Sequence, residues 1–117
     1  MKGKQMETDY NGWKNRETWA TNLWIENDEG LYIEARNLAR QALRDDQLNA
    51  ERTLADLLKE WLETLLDFRA YRAEYGADMP EGLQIMRDDI GSLYRVDWWE
   101  IASEWIKEIR EDEEVDA

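Results

Sequence analysis

Residues 50–68 read AERTLADLLKEWLETLLDF, the clearest helical period in the chain. Leu54, Leu57, Leu58, Trp61, Leu62, Leu65, Leu66 and Phe68 recur at spacings of three and four, so they share one side of a 3.6-residue helix. Asn49 in front is a good N-cap type. The pattern is expected to run to about Tyr75, where Gly76 suits the left-handed position after a helix C-terminus. An apolar face this wide must be covered, so the flanking segments should supply further helices.

They do so on both sides. Upstream, a helix should begin near Asn15 and bury the i,i+4 pairs Trp19/Leu23 and Ala20/Trp24. Asn27-Asp28-Glu29-Gly30 reads as a break. Leu31, Ala35, Leu38 and Ala42, flanked by Tyr32, Ala39 and Leu43, mark a second helix ending around Asp45-Asp46. Downstream, Asp78-Met79-Pro80-Glu81 resembles a capping box with Pro80 in the first turn. A shorter helix would turn Leu83, Met86, Ile90 and Leu93 inward, with Gly82 and Gly91 weakening it by roughly 1 kcal/mol each. The last helix carries an Asp97-x-x-Glu100 capping box, a Val96 staple onto Ile101, and the stripe Trp98, Ile101, Ala102, Trp105, Ile109. No alternating strand pattern exceeds four residues, and there is one proline. The expected architecture is all-α: a compact bundle of four or five helices with an acidic C-terminal tail. Its parts are a polar lead-in (1–14), a single helical domain (15–110) and the tail (111–117).

Composition restricts the chemistry. The 117 residues fit one domain, and 43% hydrophobic content with seven Trp is ample for a core. No His and no Cys are present, which removes the usual general base, the thiolate nucleophile and imidazole or thiolate metal ligation. Ser92 and Ser103 lie in no nucleophile-elbow context, and no glycine-rich phosphate loop occurs. Asp88-Asp89 is the best carboxylate pair for Mg²⁺, yet neighbouring side chains on a helix point about 100° apart. Neither a catalytic residue, a metal site nor a cofactor is expected. With no apolar run near the ~20 residues of a span and no secretory signal, a soluble cytoplasmic protein is expected.

Charge is the strongest functional signal. The chain has 28 Asp+Glu against 15 Lys+Arg, a formal net charge of -13. Direct binding to nucleic acid or an anionic membrane needs a cationic footprint and is disfavoured. Glu100, Glu104, Glu108 and Glu111 fall within about 80° on a helical wheel, followed by Asp112, Glu113 and Glu114. Such carboxylates repel one another and oppose the helix dipole, so local stability does not ask for them. A second stripe, Asp56, Glu60, Glu63 and Asp67, lies opposite the Leu/Trp face of residues 50–68. One stripe gives a charge per ~6 Å of axis, against a phosphate per ~3.4 Å on each DNA strand. Two neighbouring acidic helices would approach DNA density, while solvation of a Trp-rich surface explains the stripes equally well. Among the tryptophans, Trp99 at the stripe edge and Trp13 in the lead-in are candidate interface anchors.

One segment carries a resemblance. Gly12-Trp13-Lys14-Asn15-Arg16-Glu17-Thr18-Trp19, continuing through Asn22-Leu23-Trp24 to Asn27-Asp28-Glu29-Gly30-Leu31-Tyr32, resembles a family of short, largely uncharacterised phage, plasmid and archaeal mobile-element proteins opening with G-W-x-N-x-E-T-W. The resemblance implies an accessory gene of a mobile element and no particular activity. Within the motif, Asn15 can cap the first helix and Trp13 can pack toward Trp19, or Trp13, Arg16 and Glu17 can form a contact site. Together with the charge, this gives an expected function: a non-enzymatic acidic inhibitor of a host nucleic-acid-targeting defence complex, of anti-CRISPR or anti-restriction type. Its partner would be a host protein with a basic nucleic-acid-binding surface. The alternative is an interaction or assembly module that uses an exposed Trp surface, and a homodimer through the third helix stays open.

Overall fold

The computed structural model describes residues 10–116, with side chains through Glu113. The leucine stripe forms a helix over Ala50–Leu65, numbered α3 below, with Leu54, Leu58 and Leu62 fully buried. It packs against α2 (Glu29–Asp45) and α6 (Trp98–Asp116), which also touch each other, so these three helices share the core. Helix α2 enters through Ala35, Ala39 and Ala42, all fully buried, and small side chains at a contact let helices approach closely. Helix α6 contributes Ile101, Ala102, Trp105, Ile106 and Ile109. On the outside, α1 (Arg16–Asn27) lies against α2, α5 (Glu81–Ile90) and α6, while α4 (Phe68–Tyr75) folds onto α3. Short 3-10 turns, Gln47–Asn49 and Leu93–Arg95, connect α2 to α3 and α5 to α6. The described residues thus form an all-α bundle of six α-helices, and none of those helices is long and apolar enough to cross a membrane.

The sixth helix comes from a break that hydrophobic spacing conceals. The single helix expected from Asn49 to Tyr75 stops at Leu65, and Asp67 starts α4 by accepting the Ala70 N–H at 2.8 Å from an extended backbone. A side-chain cap of this kind contributes about 1 kcal/mol. Phe68, assigned to the buried face, is half exposed beneath Arg87, whose guanidinium carbon lies 4.9 Å from the ring centroid. Asp67 is therefore a cap rather than the fourth member of a stripe with Asp56, Glu60 and Glu63. Gly76 does end α4, in the left-handed region at φ +72°.

Other boundaries depend on which side chain reaches a free amide. Asn15 caps α1 as expected, its Oδ1 accepting the Thr18 N–H at 2.8 Å and the Thr18 hydroxyl at 2.7 Å. Asp28 closes the break by accepting the Leu31 N–H at 2.9 Å. Asn49 makes no side-chain cap: the preceding 3-10 turn leaves its backbone at φ -120°, ψ 34°, outside the extended region from which a cap side chain reaches the next amides. Pro80 is itself the N-cap of α5 rather than a first-turn residue, and Asp78 pairs with Arg72 instead of capping. At α6 the Asp97 Oδ1 accepts the Glu100 N–H at 3.1 Å, the forward half of the capping box.

Two further expectations change. The buried side of α1 is Thr18, Ala20, Thr21, Asn22 and Ile25, with Leu23 exposed, so this face is largely polar. The acidic segment 111–117 was expected as a tail, yet α6 runs through Asp116. Arg36 on α2 pairs with Glu108 and Asp112, and Arg110 pairs with Glu51 on α3, which hold these turns against the bundle.

Replacing Asn15 with Ala removes a cap used twice and is expected to lower stability by about 1–2 kcal/mol. Asn49→Ala, at a nominally equivalent position, should change it by less than about 0.5 kcal/mol. Urea unfolding of the two variants checks the contrast, and equal losses would contradict this account of the caps.

Candidate functional site

The N-terminal signature is consumed by internal contacts. Thr18, fully buried, accepts the Asp97 N–H at 2.9 Å through its hydroxyl, and Asn15 Nδ2 donates to the Arg95 carbonyl at 2.8 Å. Arg16 donates to the Asp89 carbonyl at 2.7 Å and pairs with its carboxylate at 3.0 Å, while Trp24 Nε1 donates to the other Asp89 oxygen at 2.8 Å. Glu17 pairs with Arg95 at 3.3 Å. The motif is a clasp that fixes α1 on α5 and on the start of α6. Asp89 serves that clasp, and Asp88 pairs with Arg87 at 3.4 Å. Tyr10 rather than Trp13 meets Trp19, edge-on at 5.0 Å.

Clasping α1 onto α6 leaves an acidic groove between them. Glu26 of α1 faces Glu104, Glu108 and Glu111 of α6 across a cavity of about 320 Å³. Trp13, Trp105 and Asn22 complete the walls, and Lys107 is the lining cation. Asn22 is 4% exposed, and its Oδ1 accepts the Trp105 indole N–H at 2.8 Å. Behind Trp105, Tyr32 makes an edge contact at 5.4 Å, and Arg36 lies 5.8 Å above the Tyr32 ring. The groove thus combines four carboxylates with two indoles, a surface suited to a cationic group.

The sequence-selected residues distribute unevenly around it. Glu104, Glu108, Glu111 and Trp13 come together in the groove. Glu100 is directed at the lead-in, its Oε1 accepting the Lys14 N–H at 3.0 Å. Asp112 faces Arg36, and Glu113 lines a cleft with Arg40, Arg44 and Arg110, so basic residues answer these charges locally. The Glu114 side chain lies outside the described residues. On α3, Asp56 is exposed and Glu60 lines a groove with Trp61, Glu74 and Tyr75, while Glu63 of α3 and Asp67, the cap of α4, line another with Arg87 and Asp88. Those grooves share no residue with the α1–α6 groove. Trp99 stands apart at 59% exposure.

The family model DUF7249, described as a family of unknown function, matches residues 6–115. The chain belongs to this family. The DUF7249 match spans both the clasp and the acidic face of α6, so the groove lies wholly inside the family's domain. No curated protein and no solved structure matches the chain.

Sequence reasoning missed Glu26, Asn22 and Arg36 as parts of this DUF7249 groove and its support. Glu26 lies nine residues from Glu17, the other acid of α1, and the carboxylates it meets in the groove are some eighty residues away. Burial pushes the Glu108 carboxyl above its usual range, Arg36 pulls it down, and Asp112, Glu26 and Glu111 raise it further. A raised carboxyl binds its proton more tightly in the folded state, so stability falls as pH rises from the ordinary glutamate range through the raised value. Glu108→Gln should therefore raise Tm slightly at pH 7 and leave it unchanged below about pH 4, where both forms are neutral. Thermal melts across this range check the sign, and a destabilised variant at pH 7 would refute it.

Proposed function

We propose that this protein is a non-enzymatic binding protein that occupies a basic, nucleic-acid-binding surface of a protein partner, as a stoichiometric inhibitor of a defence complex. Its setting is the cytoplasm of a host carrying a mobile element, an assignment supported by the G-W-x-N-x-E-T-W resemblance of residues 12–19. One observation carries the binding mode: four carboxylates from two helices converge on one groove with a single lining lysine. No ion pair within the described residues neutralises Glu26, Glu104 or Glu111. Complementary charge from outside would do so and would steer association. Full DNA mimicry receives less support, because Asp112 and Glu113 face the chain's own arginines and α3 opens onto other grooves.

Affinity capture from a host lysate, eluted with rising salt, tests this. A nucleic-acid-binding protein should elute across roughly 0.1–1 M salt, where the screening length shrinks from about 10 to 3 Å, and duplex DNA should compete with the capture. A partner held through 1 M salt and indifferent to DNA would overturn the proposal. That outcome would favour the exposed Trp99 as anchor of an interaction module, with Trp99→Ala abolishing capture.

A further inference from the structure

The α1–α6 groove holds more than an excess of acid. Asn22 is nine-tenths buried, and its carboxamide orientation is fixed, because the Trp105 indole N–H can only donate and so must meet the oxygen. The Nδ2 hydrogens consequently point elsewhere, and no acceptor among the described residues takes them. Nor is that nitrogen sealed in: Ser103 Oγ is the unpartnered buried side-chain atom among the described residues, and Asn22 lines the groove. A ligand that sealed this nitrogen from water without offering an acceptor would be opposed by the lost hydrogen bond. A ligand that fills this groove must therefore present an acceptor to Asn22 and positive charge to Glu26, Glu104 and Glu111.

An arginine residue in a peptide chain carries both. Its guanidinium is planar, weakly hydrated and able to lie on an indole face while donating to two carboxylates. Its main-chain carbonyl is an acceptor a few bonds away. The cavity of about 320 Å³ sits at the small end of ligand pockets, a size for one side chain rather than a folded element. Resting on the proposed function, we infer that the groove is an arginine socket: one arginine of the partner inserts between α1 and α6, its guanidinium against Trp13 and the Glu26, Glu104 and Glu111 carboxylates, its carbonyl on Asn22. This assigns the specificity of the complex to one side chain and leaves the remaining acidic surface to long-range steering.

The test titrates the full chain with N-acetyl-arginine methylamide, following indole and carboxamide resonances by NMR. Saturable shifts of the Trp13 and Trp105 indoles and the Asn22 carboxamide are expected, with weaker binding of N-acetyl-lysine methylamide. The double variant Glu104→Gln, Glu111→Gln, altering two exposed positions, should remove the shifts, whereas Glu60→Gln, Glu63→Gln should leave them intact. Trp13→Leu should weaken binding about two- to fivefold, the range of an exposed cation–π contact. Shifts spread over all acidic faces, equal binding of the lysine amide, or equal binding of spermidine would overturn the socket. Socket binding without DNA competition in the capture experiment would instead sink the proposed function alone. DNA competition that survives the Glu104→Gln, Glu111→Gln change would sink the socket alone.

Discussion

The Thr18 hydroxyl sits between two chain segments almost eighty residues apart. It donates to Asn15 and accepts from the Asp97 amide, so one side chain closes the cap of α1 and the approach to α6 together. In a fully buried position, each bond contributes only about 1 kcal/mol, but leaving either partner unpaired would cost more. Neighbouring contacts depend on this register: Asn15 to Arg95, Glu17 to Arg95, Arg16 to Asp89 and Lys14 N–H to Glu100. Exposed ion pairs of this kind are individually weak. Their role is positional, and the position they fix is that of α1 along α6.

That position brings Glu26 to Glu104, Glu108 and Glu111. A second polar joint, Trp105 to Asn22, sets the depth of the same contact, which makes α1 the polar wall of an otherwise aliphatic core. To the core α1 adds Ala20 and Ile25, both fully buried, with Trp19 and Trp24 packed beside them. Helices α2, α3 and α6 already bury the alanine, leucine and isoleucine faces against one another. Two kinds of contact result: apolar burial centred on α2, α3 and α6, and a helix α1 that joins it through Ala20 and Ile25 but is placed along α6 by hydrogen bonds.

This division explains what the sequence reveals and what it hides. Periodicity finds α3 and α6 because burial there is aliphatic, and Leu54, Leu58, Ile101 and Ile109 land where their spacing puts them. It misjudges α1, where Thr18, Thr21 and Asn22 are buried through hydrogen bonds that no hydropathy pattern registers. It also runs through the break at Asp67, since Leu66 and Phe68 keep helical spacing while the carboxylate of Asp67 takes the Ala70 amide. For the groove, the α6 half is legible as an i,i+4 row. Glu26 is not, because only tertiary contact distinguishes it from any other exposed acid.

Charge density at the groove has a thermodynamic meaning beyond solubility. Arg36 compensates Glu108 and Asp112 from the α2 side, while burial first, and then the neighbouring Asp112, Glu26 and Glu111 charges, keep the Glu108 carboxyl raised. Folding gathers carboxylates that the unfolded chain would keep apart, and the folded state bears that repulsion in the absence of a counter-charge. A cation bound as proposed would relieve the repulsion and gain its own attraction, so the folded domain and the proposed complex would differ by more than the contacts formed. Charge alone would accept any polycation. In the proposed socket the two indoles and the Asn22 Nδ2, which meets no acceptor among the described residues, would limit that freedom by favouring a flat cation with an acceptor nearby.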